Sequence, residues 1–283
     1  MRRRSPTPPE DSFDLISACL ATAEDPRLGA WAILAEVPEI LRDPAVRRAG
    51  LMPQLLHAAD ISGVELAPEV RSVLRVASVR EELRTAAVAE ACREFLDLDG
   101  GQAIVLRGVA LAYSVYDSPE LRHCHDLDVL LRTTLPASAH ASGFQTSAHV
   151  SLFSSPRRRV SFEDVAPVTI RAEIAGVPAR VMAPAEALVH LCAHPAIAGQ
   201  LRNPLWCVDA GLLIKRSEAL DWERVVDRAV AWNVAAVTGQ ALGLLHHRLD
   251  LPVPATALRA LSTRRVRLRA LAQRRLRIGA VRA

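Results

Sequence analysis

Lysine and aromatic side chains are what this chain has least of. Of its 35 basic residues only Lys215 is a lysine, and aromatics make up 4% of the 283 residues. A core so short of rings has to be built from Leu, Val, Ile and Ala, which favours helices over a β-sandwich. The same shortage leaves little on which nucleic-acid bases would stack, and a formal net charge of only +4 argues further against a nucleic-acid partner. The arginine skew fits genomic base composition as well as it fits function.

Other absences narrow the class. The cysteines Cys19, Cys92, Cys124, Cys192 and Cys207 are odd in number and form no CxxC pair, which argues against a disulfide framework and for a reducing compartment. The opening MRRRSPTPPEDSFD is basic but has no apolar stretch behind it, so residues 1–13 read as a disordered leader rather than a secretory signal. No uncharged apolar run reaches the roughly 18 residues a membrane span needs. A cytoplasmic protein is expected. There is no GxSxG, GxGxxG or GxxxxGK[ST], which removes the serine-hydrolase, Rossmann and P-loop readings. His190 and His194 stand four apart on a helical pattern, but Leu191 follows the first where a hydrolytic zinc helix needs Glu. Together with Cys192 and the run His123, Cys124, His125 they have no fixed metal-ligand spacing. The ordinary reading is a helix-face pair, with His123 and His125 flanking a pocket.

What is present falls into three regions. Over residues 14–99 apolar positions recur at three- and four-residue spacing, punctuated by Pro38 and Pro53 and ended by Gly100 and Gly101, as a helix C-terminus requires. Over residues 100–182 the period changes: QAIVLRG reads as a strand, VALAYSVYD as a helix, HDLDVLLR as a second strand, and VTIRAEIAGVPARVMAP as a hairpin around Gly176, Val177 and Pro178. Over residues 183–283 helical period returns and closes on an Arg-rich tail. A basic amphipathic tail can bind RNA phosphates or anionic membranes, but a solvated helix is its ordinary reading.

The chemistry gathers in the middle region. In a strand, residues two apart share a face, so Asp126 and Asp128 present two carboxylates together while Leu127 and Val129 turn to the core. Two such charges repel unless a cation lies between them, and oxygen-only ligands suit Mg²⁺ or Mn²⁺ completed by water and substrate phosphates. Upstream, Arg107 and Gly108 close a strand before a helix. There glycine admits close backbone approach, the helix N-terminus favours anions, and a guanidinium can grip two phosphate oxygens. The pattern predicts a metal-bound polyphosphate between the two ends.

The matching residues Leu106-Arg107-Gly108, Ala110-Leu111, Tyr116, Leu121-Arg122 and Asp126-Leu127-Asp128-Val129-Leu130 resemble, in order and spacing, the nucleotidyltransferase superfamily of the DNA polymerase β-like fold. They are closest to its uncharacterised branch with the pattern LKG-aL…Y…lR…DiDlLV. APAEALVHLCAHPA and LRNPLWCVDAGLLI, with Asp209, resemble that branch's following helices. The resemblance implies an α+β fold, a small mixed sheet flanked by N- and C-terminal helical regions. It also implies Asp126 and Asp128 as metal-binding catalytic residues and Arg107, Gly108 and Arg122 as substrate-binding ones. It further implies transfer of NMP from an NTP to an acceptor, a small molecule or a peptide as in natural-product biosynthesis, with a peptide or protein partner accommodated.

Two positions depart from the pattern. Arg107 stands where the family usually has Lys, keeping the charge but replacing a point ammonium with a planar fork. A third acidic residue is expected on a later strand reading vDLHw, and the counterpart chosen is Val150 to Ser154, which puts Ser151 and Phe153 where Asp and His belong. The substitutes are Glu163, Asp164 and, sharing a strand face with Arg171, Glu173; the ordinary reading of each is a solvated charge. Loss of that carboxylate implies the alternative, a catalytically degenerate fold that binds a nucleotide or peptide without chemistry.

Overall fold

The computed structural model describes residues 12–36, 41, 50–100, 102–133, 145–153, 155, 158–217 and 220–262. Residues 1–11 of the expected leader and the Arg-rich tail beyond Ser262 lie outside them. The last two leader residues, Ser12 and Phe13, open a helix and are buried.

The helical leading region comprises α1 (Ser12–Cys19), α2 (Leu28–Glu36), α3 (Met52–Ile61) and α4 (Pro68–Asp99). Helix α4 runs 32 residues from a proline in its first turn to Gly100 at φ +63°, a left-handed residue that stops the helix where an L side chain would be strained. Its last turns bury Val88, Cys92, Phe95 and Leu96 against the sheet.

Five strands follow: β1 (Ile104–Val105), β2 (Asp126–Leu130), β3 (Gln145–His149), β4 (Thr169–Ile174) and β5 (Val177–Met182). They form one mixed sheet in the order β3-β2-β1-β5-β4. β2 runs antiparallel to β1 and parallel to β3, and β5 runs parallel to β1. β4 and β5 form the expected hairpin, but its turn lies at Ala175 and Gly176, both at positive φ, because Ile174 pairs with Val177. Val177 and Pro178 thus belong to β5 rather than to the turn.

Helix α5 (Arg107–Ser114) connects β1 to β2, and a short α6 (Phe162–Val165), capped by Ser161 and Asp164, precedes β4. The chain then returns to helices: α7 (Pro184–Ala198), α8 (Leu205–Arg216), α9 (Trp222–Ala231), α10 (Ala235–Leu249) and α11 (Ala255–Ser262). Glu186, fully buried on α7, is held by Arg224 at 2.8 Å and Arg228 at 3.1 Å, which ties α7 to α9. Among the described residues no helix is long and apolar enough to cross a membrane.

Candidate active site

The alternation of β2 sorts its side chains. Leu127 and Val129 are fully buried in the core beneath α4, while Asp126 and Asp128 share the opposite face. The Leu106 N–H donates to the Asp128 carbonyl at 2.8 Å, which closes β1 onto β2 and delivers the next residue, Arg107, beside the carboxylates. One cavity of about 160 Å³ collects Arg107, Gly108, Arg122, His125, Asp126 and Asp128 from the α/β region, and His194, Asn203 and Asp209 from helices α7, α8 and their connection.

The two carboxylates are not alike. Asp128 is only 6% exposed, and both its oxygens are engaged, Oδ2 by Arg107 Nη2 at 2.6 Å and Oδ1 by His149 Nε2 at 2.8 Å. Burial alone pushes its pKa up, but the His149 hydrogen bond and the Arg107 charge outweigh burial and hold it below the ordinary carboxylate value. The Asp126 side chain is 28% exposed, with the Ser147 hydroxyl donating to Oδ2 at 3.3 Å and His125 Nε2 4.0 Å from Oδ1.

Arg107 leans on a second group from the helical side, donating through Nη1 to His194 Nε2. His194 must be neutral to accept. Burial first, then the Arg107 charge, lowers its pKa from 6.5 to about 4, although Asp128 pulls the other way. Behind it lies His190, 1% exposed, edge-on to both Phe153 and His194. Neither of its ring nitrogens makes a hydrogen bond of ordinary geometry; burial, followed by His194 and Arg107, depresses its pKa strongly, with only the Leu152 backbone favouring the charged form. His190 and His194 are therefore a neutral pair supporting Arg107. Among the described residues no group of three or more His, Cys, Asp or Glu is arranged as a metal cluster.

Arg122, also in the cavity lining, is committed to Asp209. Its Nε and Nη2 donate to the two carboxylate oxygens at 3.2 and 2.9 Å, its Nη1 donates to the His123 carbonyl at 2.8 Å, and Tyr116 adds a hydroxyl donor to Asp209 at 2.7 Å. Arg122 was expected to bind substrate; it lines the cavity, but all three of its nitrogens are engaged within the protein. It also supplies a local reason for glycine at 108, since a Cβ there would lie 2.7 Å from Arg122 Nη1. Asp209, 87 residues away in sequence, is the partner that local reading missed.

The third strand corrects one expectation. It is Gln145–His149; of the expected Val150 to Ser154, Val150 to Phe153 form no strand and Ser154 lies outside the described residues. Asp128 pairs with Ser147 in register, so the positions beside the carboxylates belong to Ser147 and His149. Ser151 instead closes a turn, donating to the Phe153 carbonyl and accepting from the Val160 N–H, and Phe153 is core against His190 and Trp232. Set on Thr146-Ser147-Ala148-His149-Val150, the pattern vDLHw keeps its histidine, at His149, and has Ser147 in place of its aspartate, with Thr146, Ala148 and Val150 at the other three positions. Glu173 is not brought to the pair. It lies on β4, three strand spacings or about 14 Å across the sheet from β2. Glu163 lies 3.5 Å from Arg132, and Asp164 caps α6.

The α+β core thus presents paired strand carboxylates to an arginine at a helix N-terminus. The chain belongs to an uncharacterised nucleotidyltransferase family, whose model matches residues 43–147 and 139–250, well over half its length. Membership supports nucleotidyl transfer as the class of activity and a nucleotide as substrate. The two matched stretches overlap at residues 139–147, which include the first three residues of β3. No curated protein and no solved structure matches the chain.

Asp126 and Asp128 fit a hard divalent cation by donor chemistry. Mg²⁺ is commonly held by one or two carboxylates, with water and substrate phosphates completing its octahedron. Two arginines face three aspartates in the cavity, leaving Asp126 as the carboxylate without a guanidinium.

Proposed function

We propose that the chain transfers NMP from an NTP to a small-molecule or peptide acceptor, with Mg²⁺ or Mn²⁺ held by Asp126 and Asp128, in the manner of the DNA polymerase β-like superfamily. The observation that carries this reading is the convergence in one cavity of the same-face pair Asp126 and Asp128 with Arg107 and Gly108 at the start of α5. A metal held by Asp126 and Asp128 would supply positive charge against the triphosphate, in a reaction where the acceptor attacks the α-phosphorus in line and pyrophosphate leaves. Arg107 grips phosphate oxygens, the first turn of α5 adds its N-terminal dipole, and the Arg122–Asp209 pair fixes the lining beside Gly108.

A second reading, nucleotide or peptide binding without turnover, is favoured by Ser147, a hydroxyl beside the pair where the family pattern has a carboxylate. Loss of a general base costs roughly 10² to 10⁴ in rate. Incubation with each NTP, Mg²⁺ and candidate acceptors should give slow pyrophosphate release, which Ser147→Asp raises and Asp126→Asn abolishes. Nucleotide binding with no release in either the parent or Ser147→Asp would decide for the binding module. No nucleotide binding at all would remove both readings.

A further inference from the structure

The carboxylate of Asp128 is covered by the cavity's own arginine. Asp128 has two oxygens to offer a metal, and a guanidinium and an imidazole hold both, at 2.6 and 2.8 Å. A divalent ion seated on Asp128 would meet the Arg107 charge at contact range, so the two cations compete for one carboxylate.

Arg107 is also poorly settled where it is. Its φ of +38° lies in the left-handed region that disfavours side chains, at the first position of a helix. Its Nε–H is buried and has no hydrogen-bond partner. Its remaining contact is with a neutral imidazole, His194, rather than a second acid. Arg122 differs on each count, being bidentate on Asp209 and anchored to a backbone carbonyl. With Arg107 so placed the cavity holds about 160 Å³, less than the roughly 300–1,000 Å³ common for small-molecule pockets.

We propose that Arg107 is a gate that makes the site selective for the metal–polyphosphate complex over the free divalent cation. A free cation gives the guanidinium nowhere to go, so Asp128 stays occupied. Polyphosphate offers it two anionic oxygens in the geometry a planar fork prefers, with a further acceptor for the unpaired Nε–H, and draws it off Asp128 Oδ2. The vacated oxygen and the exposed carboxylate of Asp126 then receive the metal that the polyphosphate carries, while His149 keeps Oδ1 oriented. Binding of metal and nucleotide is thereby coupled through one side chain. This rests on the metal-dependent reading of the site given above.

Water-proton relaxation enhancement by Mn²⁺ tests the gate on the full chain, because it reports metal on the slowly tumbling protein. The probes are Mn²⁺ alone and Mn²⁺ with an α,β-methylene triphosphate analogue. The parent should bind the complex but take up free Mn²⁺ at least tenfold more weakly than Arg107→Ala does, and Asp128→Asn introduced into Arg107→Ala should erase the gain. Arg107→Met, which keeps the aliphatic stem, replaces the alanine variant if that chain does not fold. Equal free-Mn²⁺ affinity in the parent and both Arg107 variants, with the parent still binding the complex, overturns the gate and leaves the proposed function standing. Failure of the parent to bind the complex overturns both.

Discussion

The cavity has two arginine–aspartate pairs in its lining, and they are built to different ends. Arg122 and Asp209 join the α/β core to helix α8 through two direct hydrogen bonds, a tyrosine and a backbone carbonyl, with both side chains at most 11% exposed. Arg107 and Asp128 meet through one short contact, from a left-handed residue whose Nε is unpaired. With each nitrogen of Arg122 and both oxygens of Asp209 engaged, the first pair is a fixture, and incomplete satisfaction makes the second exchangeable. Chemical likeness, Arg facing Asp, does not say which role a pair has; the surrounding partners do.

The comparison can be broken most easily through stability. Asp209→Ala strands a buried guanidinium and a buried tyrosine hydroxyl, and removing one partner of a buried pair typically costs about 3–5 kcal/mol. Asp128→Ala leaves Arg107 with His194 and partial solvent access, and should cost less than half as much. Urea unfolding of the two variants measures the difference; equal losses would mean that the pairs are equivalent.

Acid should expose the support of the weaker pair. His194 titrates near 6.5 in the unfolded chain and at about 4 in the folded one, so between those values the unfolded state binds the extra proton. Its contribution is complete above about pH 6.5 and is lost as the pH falls towards 4, by at most about 3 kcal/mol, less some solvent screening. Buried His190 acts in the same direction. Denaturation midpoints at pH 7.5 and 5 should therefore separate more in the parent than in His194→Gln, and an equal separation would contradict the assignment.

A smaller effect sharpens the fixture. Gly108→Ala places a Cβ 2.7 Å from Arg122 Nη1. A free side chain would step aside, but one pinned to Asp209 has to distort, at about 1–3 kcal/mol. In an Asp209→Asn background the penalty should shrink, which a double-mutant cycle reads directly.

Much of this architecture was legible in the residues. Two-residue periodicity around Asp126 and Asp128, the Arg-Gly step, the Gly stop after α4 and the β4–β5 hairpin all rest on local rules, and the structure follows them with the hairpin turn moved to Ala175 and Gly176. Strand β3 was misplaced because Gln145-Thr146-Ser147-Ala148-His149 is an edge strand that turns polar groups towards the aspartates, so it carries no apolar alternation. The apolar Val150, Leu152 and Phe153 that follow looked more like a strand and proved to be a turn region, with Leu152 and Phe153 packed into the core. Nor could local pattern pair Arg122 with Asp209 or Arg107 with Asp128, since each contact is made across the fold. Asp209 and Asp128, the partners that hold the two guanidinia in the structure, were therefore not legible from either arginine's own neighbourhood.

Where Arg107 and a divalent ion sit when nucleotide is present decides whether the Arg107–Asp128 pair exchanges. A crystal structure of the full chain with Mn²⁺ and an α,β-methylene triphosphate, phased to show anomalous scattering, tests this directly. It should show a manganese peak between Asp126 and Asp128, with the Arg107 guanidinium moved onto phosphate and Arg122 still on Asp209. Nucleotide bound with Arg107 still on Asp128 and no peak at the aspartates would contradict it.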